Sequence, residues 1–281
     1  MKKIFSWIIL FCSLSVSAQN VDSYKIGLEI PVCKLDADDT ILKRLAYTLC
    51  YSERHEQAYW VAYVLTKDET ENKFERSNKF VSDPDLVSGS AANADYSGSG
   101  FDRGHLAPAA DMGFSQTTMQ ESFYFSNMSP QAPQFNRGIW KELEEQVRDW
   151  SQKYDSVYVV SGPILTDGLK TIGKNNKISV PAYYYKVLMR YVSDYTFSAI
   201  GFILPNEGSD KPLQSFAVSV DDVERVSGVD FFPQLPDCAE NVIEKDLCVD
   251  CWFGDAQPQI IEVSPDNNLG KDSNSKSEKK N

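Results

Sequence analysis

One short stretch of the sequence brings together a cation, a glycine and an imidazole. It reads Phe101-Asp-Arg-Gly-His-Leu-Ala-Pro-Ala-Ala-Asp-Met112. Hydrolysis of a phosphodiester needs a base that removes a proton from the attacking water, and a histidine such as His105 can do this near neutral pH. It also needs a cation at the phosphoryl oxygens, whose geometry the planar guanidinium of Arg103 matches. A histidine next to an arginine is more often structural than catalytic, since charged neighbours also surround histidines in structural sites. The residue types alone therefore favour a structural role for His105.

A second polar segment leads into an amphipathic helix. Asn136 stands at the predicted start of this helix, where its side-chain oxygen can either cap the helix or hold an ion. Glu144 borders the apolar stripe of the helix, so we expect its carboxylate to be partly buried and to need a partner. Arg148, one turn further along, can be that partner. The plainer alternatives are an ordinary N-cap and a solvated glutamate.

The elements that must position these residues follow from hydrophobic patterns. One helix is predicted over 137–153, because Trp140, Leu143, Val147 and Trp150 step by three, four and three residues along one face. A second helix is predicted over 220–226, and a loop over 88–100. Four segments are rich in β-branched and aromatic residues and are predicted as strands, namely 58–66, 156–161, 183–191 and 195–204. A short turn near residues 193–194 is predicted to join the last two. The fold class is therefore α+β.

Composition limits the kind of protein. The chain has 281 residues, of which 42% are hydrophobic and 12% aromatic, so it can bury a sizeable core and is not disordered throughout. Only its first twenty residues contain a long apolar run, which excludes a protein with several membrane spans. Two histidines exclude a three-histidine metal site. We expect one domain over 25–262 and a disordered polar tail over 264–281.

The N-terminus has the features of a signal peptide. Lys2 and Lys3 precede an apolar region, and Val16-Ser17-Ala18 forms a small-residue cleavage site, so residues 1–18 are predicted to be removed and Gln19 to begin the mature chain. This predicts a secreted or periplasmic protein with no membrane anchor after cleavage.

Cleavage removes Cys12 and leaves five cysteines, namely Cys33, Cys50, Cys238, Cys248 and Cys251. An oxidising compartment favours at least one disulfide. The spacing of Cys248 and Cys251 fits a redox pair or half a zinc site, but a structural bridge within the C-terminal cysteine cluster is favoured, and the connectivity stays open.

The motifs resemble those of the DNA/RNA non-specific endonucleases, a family that includes secreted sugar-non-specific nucleases and mitochondrial endonuclease G. The resemblance covers most of residues 47–236, in the expected order, and this context makes it far more specific than four letters of motif. It is carried by Asp102-Arg103-Gly104-His105, by Asn127-Met-Ser-Pro-Gln131, by Asn136-Arg-Gly-Ile-Trp140, and by flanking segments at 59–66, 76–84, 158–164, 181–186 and 228–233.

The resemblance implies a ββα-metal nuclease fold, with a central, mostly antiparallel sheet and flanking helices. His105 would be the general base, and Asn136 the only direct protein ligand of one hydrated Mg²⁺, with Mn²⁺ as a substitute. A metal-bound water could protonate the leaving oxygen. Asn127 would orient groups around His105, and Glu144 would anchor the water shell of the metal.

The resemblance also implies the contacts to substrate, which would be DNA and RNA. Arg103, Arg148 and Arg76 would hold phosphate oxygens, Arg76 being the least securely matched, and Arg137 would join the binding surface. Products would carry 5′-phosphates. Because the proposed contacts are to the phosphodiester and not to the base or the 2′-hydroxyl, the enzyme is expected to cleave DNA and RNA alike.

The net charge fits a nucleic-acid substrate poorly. Without Lys2 and Lys3 the mature chain carries 26 basic and 40 acidic residues, a net charge of −14. Binding must then depend on a local patch, which predicts modest affinity and strong inhibition by salt. The patch would comprise Lys73, Arg76, Lys79, Arg103, Arg137 and Lys141.

His55 is a possible phosphate contact, but its acidic neighbours favour a plain surface role. Two alternative functions stay open. One is an inactive nucleic-acid-binding relative on the same fold. The other is a phosphodiesterase that acts on small nucleotides, which the acidic surface favours mildly. The oligomeric state is not predictable from the sequence.

Overall fold

The computed structural model describes residues 27–33, 36, 38–86, 88–193 and 196–258. The predicted signal peptide (1–18) and polar tail (264–281) lie outside these described residues, as does residue 194 of the predicted turn. Thirteen strands are described in this part of the chain. They are β1 (Val32–Cys33), β2 (Thr40–Lys43), β3 (Thr48–Ser52), β4 (Gln57–Thr66), β5 (Asp102–His105), β6 (Met128–Gln131), β7 (Ser156–Pro163), β8 (Thr171–Ile172), β9 (Ile178–Ser179), β10 (Tyr183–Ser193), β11 (Thr196–Pro205), β12 (Ala217–Val218) and β13 (Val229–Asp230).

Seven α-helices occur in the same described ranges, most of them short. They are α1 (Asn93–Tyr96), α2 (Gln116–Glu121), α3 (Pro133–Asn136), α4 (Ile139–Tyr154), α5 (Val220–Ser227), α6 (Asp237–Lys245) and α7 (Val249–Phe253). Short 3₁₀ turns at Lys67–Thr70, Phe125–Asn127 and Leu213–Phe216 complete the regular structure.

A seven-stranded sheet, in the order β12-β11-β10-β7-β4-β3-β2, forms the centre of the fold. Every neighbouring pair in it is antiparallel. The four strands predicted from sequence are β4, β7, β10 and β11, and they occupy the middle of this sheet. The predicted α+β class with a mostly antiparallel central sheet is confirmed.

The sheet is covered on both faces because its strands alternate between two buried sets of side chains. On β4, Val61, Tyr63 and Leu65 belong to one core, whereas Trp60 and Ala62 belong to the other. Helix α4 packs on the first face. Helices α5 and α6 pack on the second, which places them on the opposite side of the sheet from α4.

Helix α4 begins two residues later than predicted. Its apolar residues Trp140, Leu143, Val147 and Trp150 are all buried, as the spacing predicted. The prediction that Asn136 stands at the start of this helix was wrong: Asn136 ends the separate helix α3, and the N-cap of α4 is Gly138, with no side-chain cap bond. The chain breaks between the two helices because Gly138 adopts a non-helical conformation (φ −108°, ψ −116°).

Two further sequence predictions differ in detail from the structure. The segment predicted as a loop over 88–100 contains the short helix α1. The second predicted helix extends one residue further, to Ser227, and ends at Gly228, whose positive φ of 70° is accessible to glycine without a side-chain clash.

A disulfide joins Cys248 and Cys251, in agreement with a structural bridge in the C-terminal cysteine cluster. It joins the N-cap of helix α7 to a residue within that helix, whose Trp252 packs edge-on against Trp150 of α4 with ring centroids 5.0 Å apart. The bridge thus constrains the turn of chain that covers the end of α4. Among the described residues, no helix has both the length and the apolar character that a membrane span requires.

Candidate active site

Strands β5 and β6 form a two-stranded antiparallel sheet that lies next to helices α3 and α4 in the chain. In its register Asp102 is paired with Gln131, and His105 with Met128. Arg103 and His105 are two residues apart on β5 and therefore share one side of the strand. Strands β5 and β6, together with helix α4, form the ββα unit that carries the candidate residues.

Gly104 allows the two strands to approach closely. A Cβ atom built at this position would lie 2.1 Å from both Cδ and Oε1 of Gln131. Such a distance is far inside van der Waals contact, so a larger residue would push the Gln131 side chain out of its place. The glycine of the motif therefore lets the Gln131 side chain pack directly against the β5 backbone.

His105 is buried between aromatic rings but keeps one nitrogen without a partner. Its exposed fraction is 7%, and the edge of Phe123 lies against it with ring centroids 4.9 Å apart. Nε2 is buried and has no hydrogen-bond partner. Burial, followed by the positive charges of Arg76 and Arg103, lowers the pKa of His105 to about 3. The imidazole is thus neutral at physiological pH, which is the form that accepts a proton.

Two exposed arginines flank this histidine, and aromatic rings position both. The guanidinium carbon of Arg103 lies 4.2 Å from the centroid of Phe80, and that of Arg76 lies 5.0 Å from the centroid of Phe123. Arg103 also donates a hydrogen bond to Oδ1 of Asn93 at 2.5 Å. Because stacking on a ring leaves the edge of a guanidinium free to donate, both can still bind phosphate oxygens.

Asn127 fixes the backbone on either side of the histidine segment. Its Oδ1 accepts a hydrogen bond from the Ala107 amide, and its Nδ2 donates to the carbonyl oxygens of Ala107 and Ser122, each at 2.9 Å. The side chain is fully buried. Asn127 therefore holds the chain that leaves β5 after His105, which is consistent with a positioning role.

Asp102 connects Asn136 to strand β5. The Asn136 amide nitrogen donates to Asp102 Oδ2 at 2.9 Å, and Arg137 donates to both carboxylate oxygens at 2.8 and 2.6 Å. Although partial burial opposes ionisation, these hydrogen bonds lower the pKa of Asp102. Since Asp102 binds the nitrogen of the Asn136 amide, the amide oxygen is directed elsewhere and is the atom available as a ligand.

On helix α4, Arg148 does not form an ion pair with Glu144 as expected; its partner is Asp111, at 2.8 Å. Asp111 is fully buried and also accepts a hydrogen bond from the hydroxyl of Tyr63 at 2.7 Å. Arg148 nevertheless lies close enough to Glu144 to influence it electrostatically. The sequence analysis missed this pair because Asp111 lies 37 residues from Arg148 in the chain, whereas Glu144 lies one helical turn away.

Glu144 is the acidic side chain of α4 that faces the site. Burial raises its pKa to about 7, while the nearby cations, Lys186 first and Arg76 among them, oppose this change. Lys186 is completely buried, with its ammonium 4.5 Å from the centroid of the Trp140 ring. The influence of Arg76 on Glu144 shows that the helix carboxylate and the arginine beside His105 are near one another.

A pocket of about 600 Å³ opens beside Arg103, between helix α1 and the start of β5. Its walls combine aromatic side chains, hydroxyls, an amide and one charge of each sign, which suits a polar ligand with flat rings. The lining residues are Asn93, Ala94, Tyr96, Ser97, Phe101, Asp102 and Arg103.

Comparison with known proteins agrees with this geometry. The sequence profile named DNA/RNA non-specific endonuclease matches residues 26–238. The chain belongs to the DNA/RNA non-specific endonuclease family. It is 41% identical to nuclease C1 of Cunninghamella echinulata var. echinulata over 209 residues, which are 69% of this chain and 83% of the relative. It is 37% identical to mitochondrial endonuclease G of Bos taurus over 206 residues, 68% of this chain and 69% of the relative.

A crystal structure of an EndoG/EndoGI complex has a similar fold, with a TM-score of 0.67 and 33% sequence identity. The alignment covers 74% of this chain and 90% of that one. The protein is therefore a nuclease of the DNA/RNA non-specific endonuclease family, and nucleic acids are the substrates on which this family acts. The family depends on a divalent metal.

The donor atoms in the site fit such a metal. The free amide oxygen of Asn136 is a hard ligand of the kind that Mg²⁺ and Ca²⁺ prefer. A single protein ligand leaves most of the shell to water, which suits a small divalent cation that dehydrates reluctantly. Asn136 is half-buried, so its environment leaves room for bound water.

The structure brings most of the predicted residues into one region, and it adds residues that the sequence analysis gave no role. Asp102 is part of the Asp102–His105 motif, but its hydrogen bond to Asn136 joins residues 34 positions apart, and no pattern in the local sequence predicts it. Phe80 and Phe123 were likewise not identified as the rings around His105. The surface role favoured for His55 was wrong, since this residue is buried and its Nδ1 lies 2.8 Å from the hydroxyl of Ser179.

Proposed function

We propose that this chain is an exported, Mg²⁺-dependent endonuclease that hydrolyses both DNA and RNA, with His105 as its general base. The observation that supports this most is the imidazole itself. It is neutral, its Nε2 has no partner, and two exposed guanidiniums stand beside it. A base without a competing hydrogen bond and with cations nearby suits attack of water on a phosphate.

In the proposed reaction, Nε2 of His105 takes a proton from the attacking water. The water oxygen forms a bond to phosphorus, and the bond from phosphorus to the 3′-oxygen breaks. The product then carries a 5′-phosphate, and the departing 3′-oxygen gains a proton. Arg103 and Arg76 bind the non-bridging oxygens, over which the negative charge of the transition state is spread.

Asn136 would hold the metal through its amide oxygen, with Asp102 fixing the orientation of the amide. Glu144 would accept hydrogen bonds from water around the metal. When bound, the divalent cation would neutralise charge on the phosphate and the leaving oxygen. Mg²⁺ fits a site with one protein ligand, and Mn²⁺ is expected to substitute for it.

Arg148 and Arg137 are proposed to face the phosphate backbone, each from an ion pair that fixes it. Arg148 is held by the buried Asp111 and is largely buried itself, whereas the side chain of Arg137 is 71% exposed and paired with Asp102. Such pairs orient a guanidinium while leaving further N–H groups free to donate. We also propose that Asn127 positions the His105 segment.

Indifference to sugar and base follows if only the phosphodiester takes part. None of the proposed contacts reads a base edge or a 2′-hydroxyl. Export is supported by the predicted leader and suits the Cys248–Cys251 disulfide, since disulfides persist in oxidising compartments.

The proposal is tested by digestion of plasmid DNA and of RNA by the purified protein, with Mg²⁺ and with a chelator. We expect both polymers to be degraded and the chelator to stop the reaction. The substitutions His105→Ala and Asn136→Ala should each lower turnover by at least about 100-fold, since a positioned general base contributes roughly that much or more.

The matched control is His55→Asn, which changes the other histidine of the chain outside the site. It should retain activity if the protein folds, as checked by circular dichroism. An active His105→Ala protein would remove the proposed base. Tight binding without cleavage under any divalent cation would indicate an inactive relative, and cleavage of a dinucleotide analogue but not of polymers would indicate a nucleotide phosphodiesterase.

A further inference from the structure

Helices α5 and α6 bring three carboxylates together on the face of the sheet opposite the candidate active site. Asp221 and Glu224 lie one turn apart on α5, and Glu244 lies near the end of α6. One carboxylate oxygen from each residue lies within 4.8 Å of the other two. The members range from exposed (Asp221) through half-buried (Glu224) to buried (Glu244), so the group extends from the surface into the interior.

The burial of Glu244 distinguishes this group from an ordinary cluster of acidic surface residues. Its exposed fraction is 6%, and its Oε1 atom is buried without a hydrogen-bond partner. A buried carboxylate is costly unless it is paired or coordinates a metal. Because its carboxylate points towards Asp221 and Glu224 rather than into solvent, the missing partner belongs at the point where the three side chains meet.

The surroundings supply no positive charge to Glu244. Apart from burial, its largest electrostatic influences are all carboxylates, namely Glu224, Glu240, Asp221 and Asp230. Arg225, next to Glu224 on α5, is paired with Asp222 at 2.5 Å, and Lys245, next to Glu244 on α6, is not among the groups that most influence Glu244. The group therefore needs either a proton or a cation.

The carboxylate of Glu224 is already oriented by the backbone. Its Oε1 accepts a hydrogen bond from the Phe231 amide at 2.8 Å, directly after β13. The side chain is thus fixed towards α6 before any ligand binds, which lowers the entropy lost on binding.

We propose that Asp221, Glu224 and Glu244 form a Ca²⁺ site that joins helix α5 to helix α6. All donors are oxygen, which Ca²⁺ and Mg²⁺ prefer over nitrogen or sulfur. Ca²⁺ binds oxygen at about 2.3–2.6 Å, so two of its ligands are separated by at most about 5 Å, as these carboxylates are. Ca²⁺ also tolerates irregular geometry, which suits three ligands from two helices, with water completing the shell on the side of the exposed Asp221.

The site would stabilise the fold rather than take part in hydrolysis. Val220 and Val223 of α5 and Ile243 of α6 are buried against the sheet, and the cation would fix the two helices above this core. The inference does not depend on the proposed nuclease mechanism, since no residue of the candidate active site is involved.

The test is thermal unfolding of the full-length Asn136→Ala protein, in which the proposed catalytic metal ligand is absent. CaCl₂ is added to chelator-treated protein, and Ca²⁺ binding is measured in parallel by calorimetry. At about 100-fold excess over Kd, the midpoint of unfolding should rise by about 5–10 °C, with about one ion bound per chain. Introducing Glu244→Gln or Glu224→Gln into this background should abolish both the shift and the binding.

Asp222→Asn is the matched control, because it removes a carboxylate from the same helix that is paired with Arg225 and not part of the group. It should keep the response to Ca²⁺. Glutamine is uncharged and has the shape of a protonated glutamate, so Glu244→Gln should be at least as stable as its parent in chelator, and a folding defect is distinguishable from loss of the ion. No response to Ca²⁺ in the parent, or a response that survives both glutamine substitutions, would overturn the proposal.

Discussion

The chemistry at the scale of single residues depends on how His105 is surrounded. Two phenylalanines pack against the ring and two arginines oppose its protonation, while Nε2 has no hydrogen-bond partner in the protein. A solvated histidine has a pKa of about 6.5 and is partly protonated in mildly acidic solution. Here the site itself maintains the base form, but the lowered pKa also makes the imidazole a weaker proton acceptor than a solvated histidine.

This environment predicts how His105 titrates. Its pKa is lowered to about 3, so the folded protein does not bind this proton as the pH falls through 6.5, whereas the unfolded chain does. The contribution of this residue to stability is therefore complete above about pH 6.5 and declines below it. In an NMR titration of the metal-free protein, one histidine resonance should stay constant between about pH 5 and 8, and His105→Asn should remove it. Titration of that resonance near pH 6.5 would contradict the burial described here.

At the scale of elements, the ββα unit depends on contacts that the sequence only partly reveals. Composition rich in β-branched and aromatic residues predicted β4, β7, β10 and β11, and the spacing of apolar residues predicted helix α4. Helix α3 was not predicted, and the predicted start of α4 was two residues early because the break at Gly138 is a backbone conformation that the apolar pattern does not reveal.

Long-range pairing was also beyond prediction from the sequence. His105 and Asn136 were identified from their motifs. The bond of Asn136 to Asp102 forms only when α3 meets β5, and that of Arg148 to Asp111 only when α4 meets the segment after β5. The motifs in the sequence therefore predicted which side chains belong to the candidate active site. The partners that orient those side chains depend on tertiary structure.

The register of β5 and β6 leads to a prediction about Gly104. A methyl group there would overlap Gln131, so Gly104→Ala should destabilise the protein by about 1–3 kcal/mol, as overpacking in a core does. Gln131→Ala removes the obstructing atoms, so the double variant should recover about 1–2 kcal/mol relative to the sum of the single changes. Urea unfolding of the four proteins measures this coupling. Additive effects would show that Gln131 is not what excludes a side chain at Gly104.

At the scale of the whole molecule, an acidic protein must bind a polyanion. The net charge of the full chain is −12, but charges more than a Debye length apart, about 8–10 Å, are largely screened. The Asp221–Glu224–Glu244 group lies on the opposite face of the sheet from helix α4. Repulsion from that face therefore contributes little at the site, where local cations decide the sign of the interaction.

The predicted basic patch is smaller in the structure than in the sequence. Lys141 is paired with Glu145 at 2.6 Å and Arg137 with Asp102, while Lys73 lies 3.9 Å from Glu71. Within the described part of the chain, Arg76, Lys79 and Arg103 form no ion pair, and they stay available for phosphate. About three phosphate contacts from free cations are therefore expected.

Three contacts predict that the cleavage of DNA is inhibited by salt. With a slope of about −0.9 per neutralised phosphate, kcat/KM for duplex DNA should fall roughly 40-fold between about 50 and 200 mM monovalent salt. Lys79→Ala, which changes an exposed residue outside the proposed catalytic set, should make the slope less negative by about one. A small phosphodiester engages fewer of these cations and releases no condensed counterions, so its hydrolysis should respond much less. Polymer cleavage that is constant or increases with salt would mean that repulsion from the acidic surface reaches the site after all.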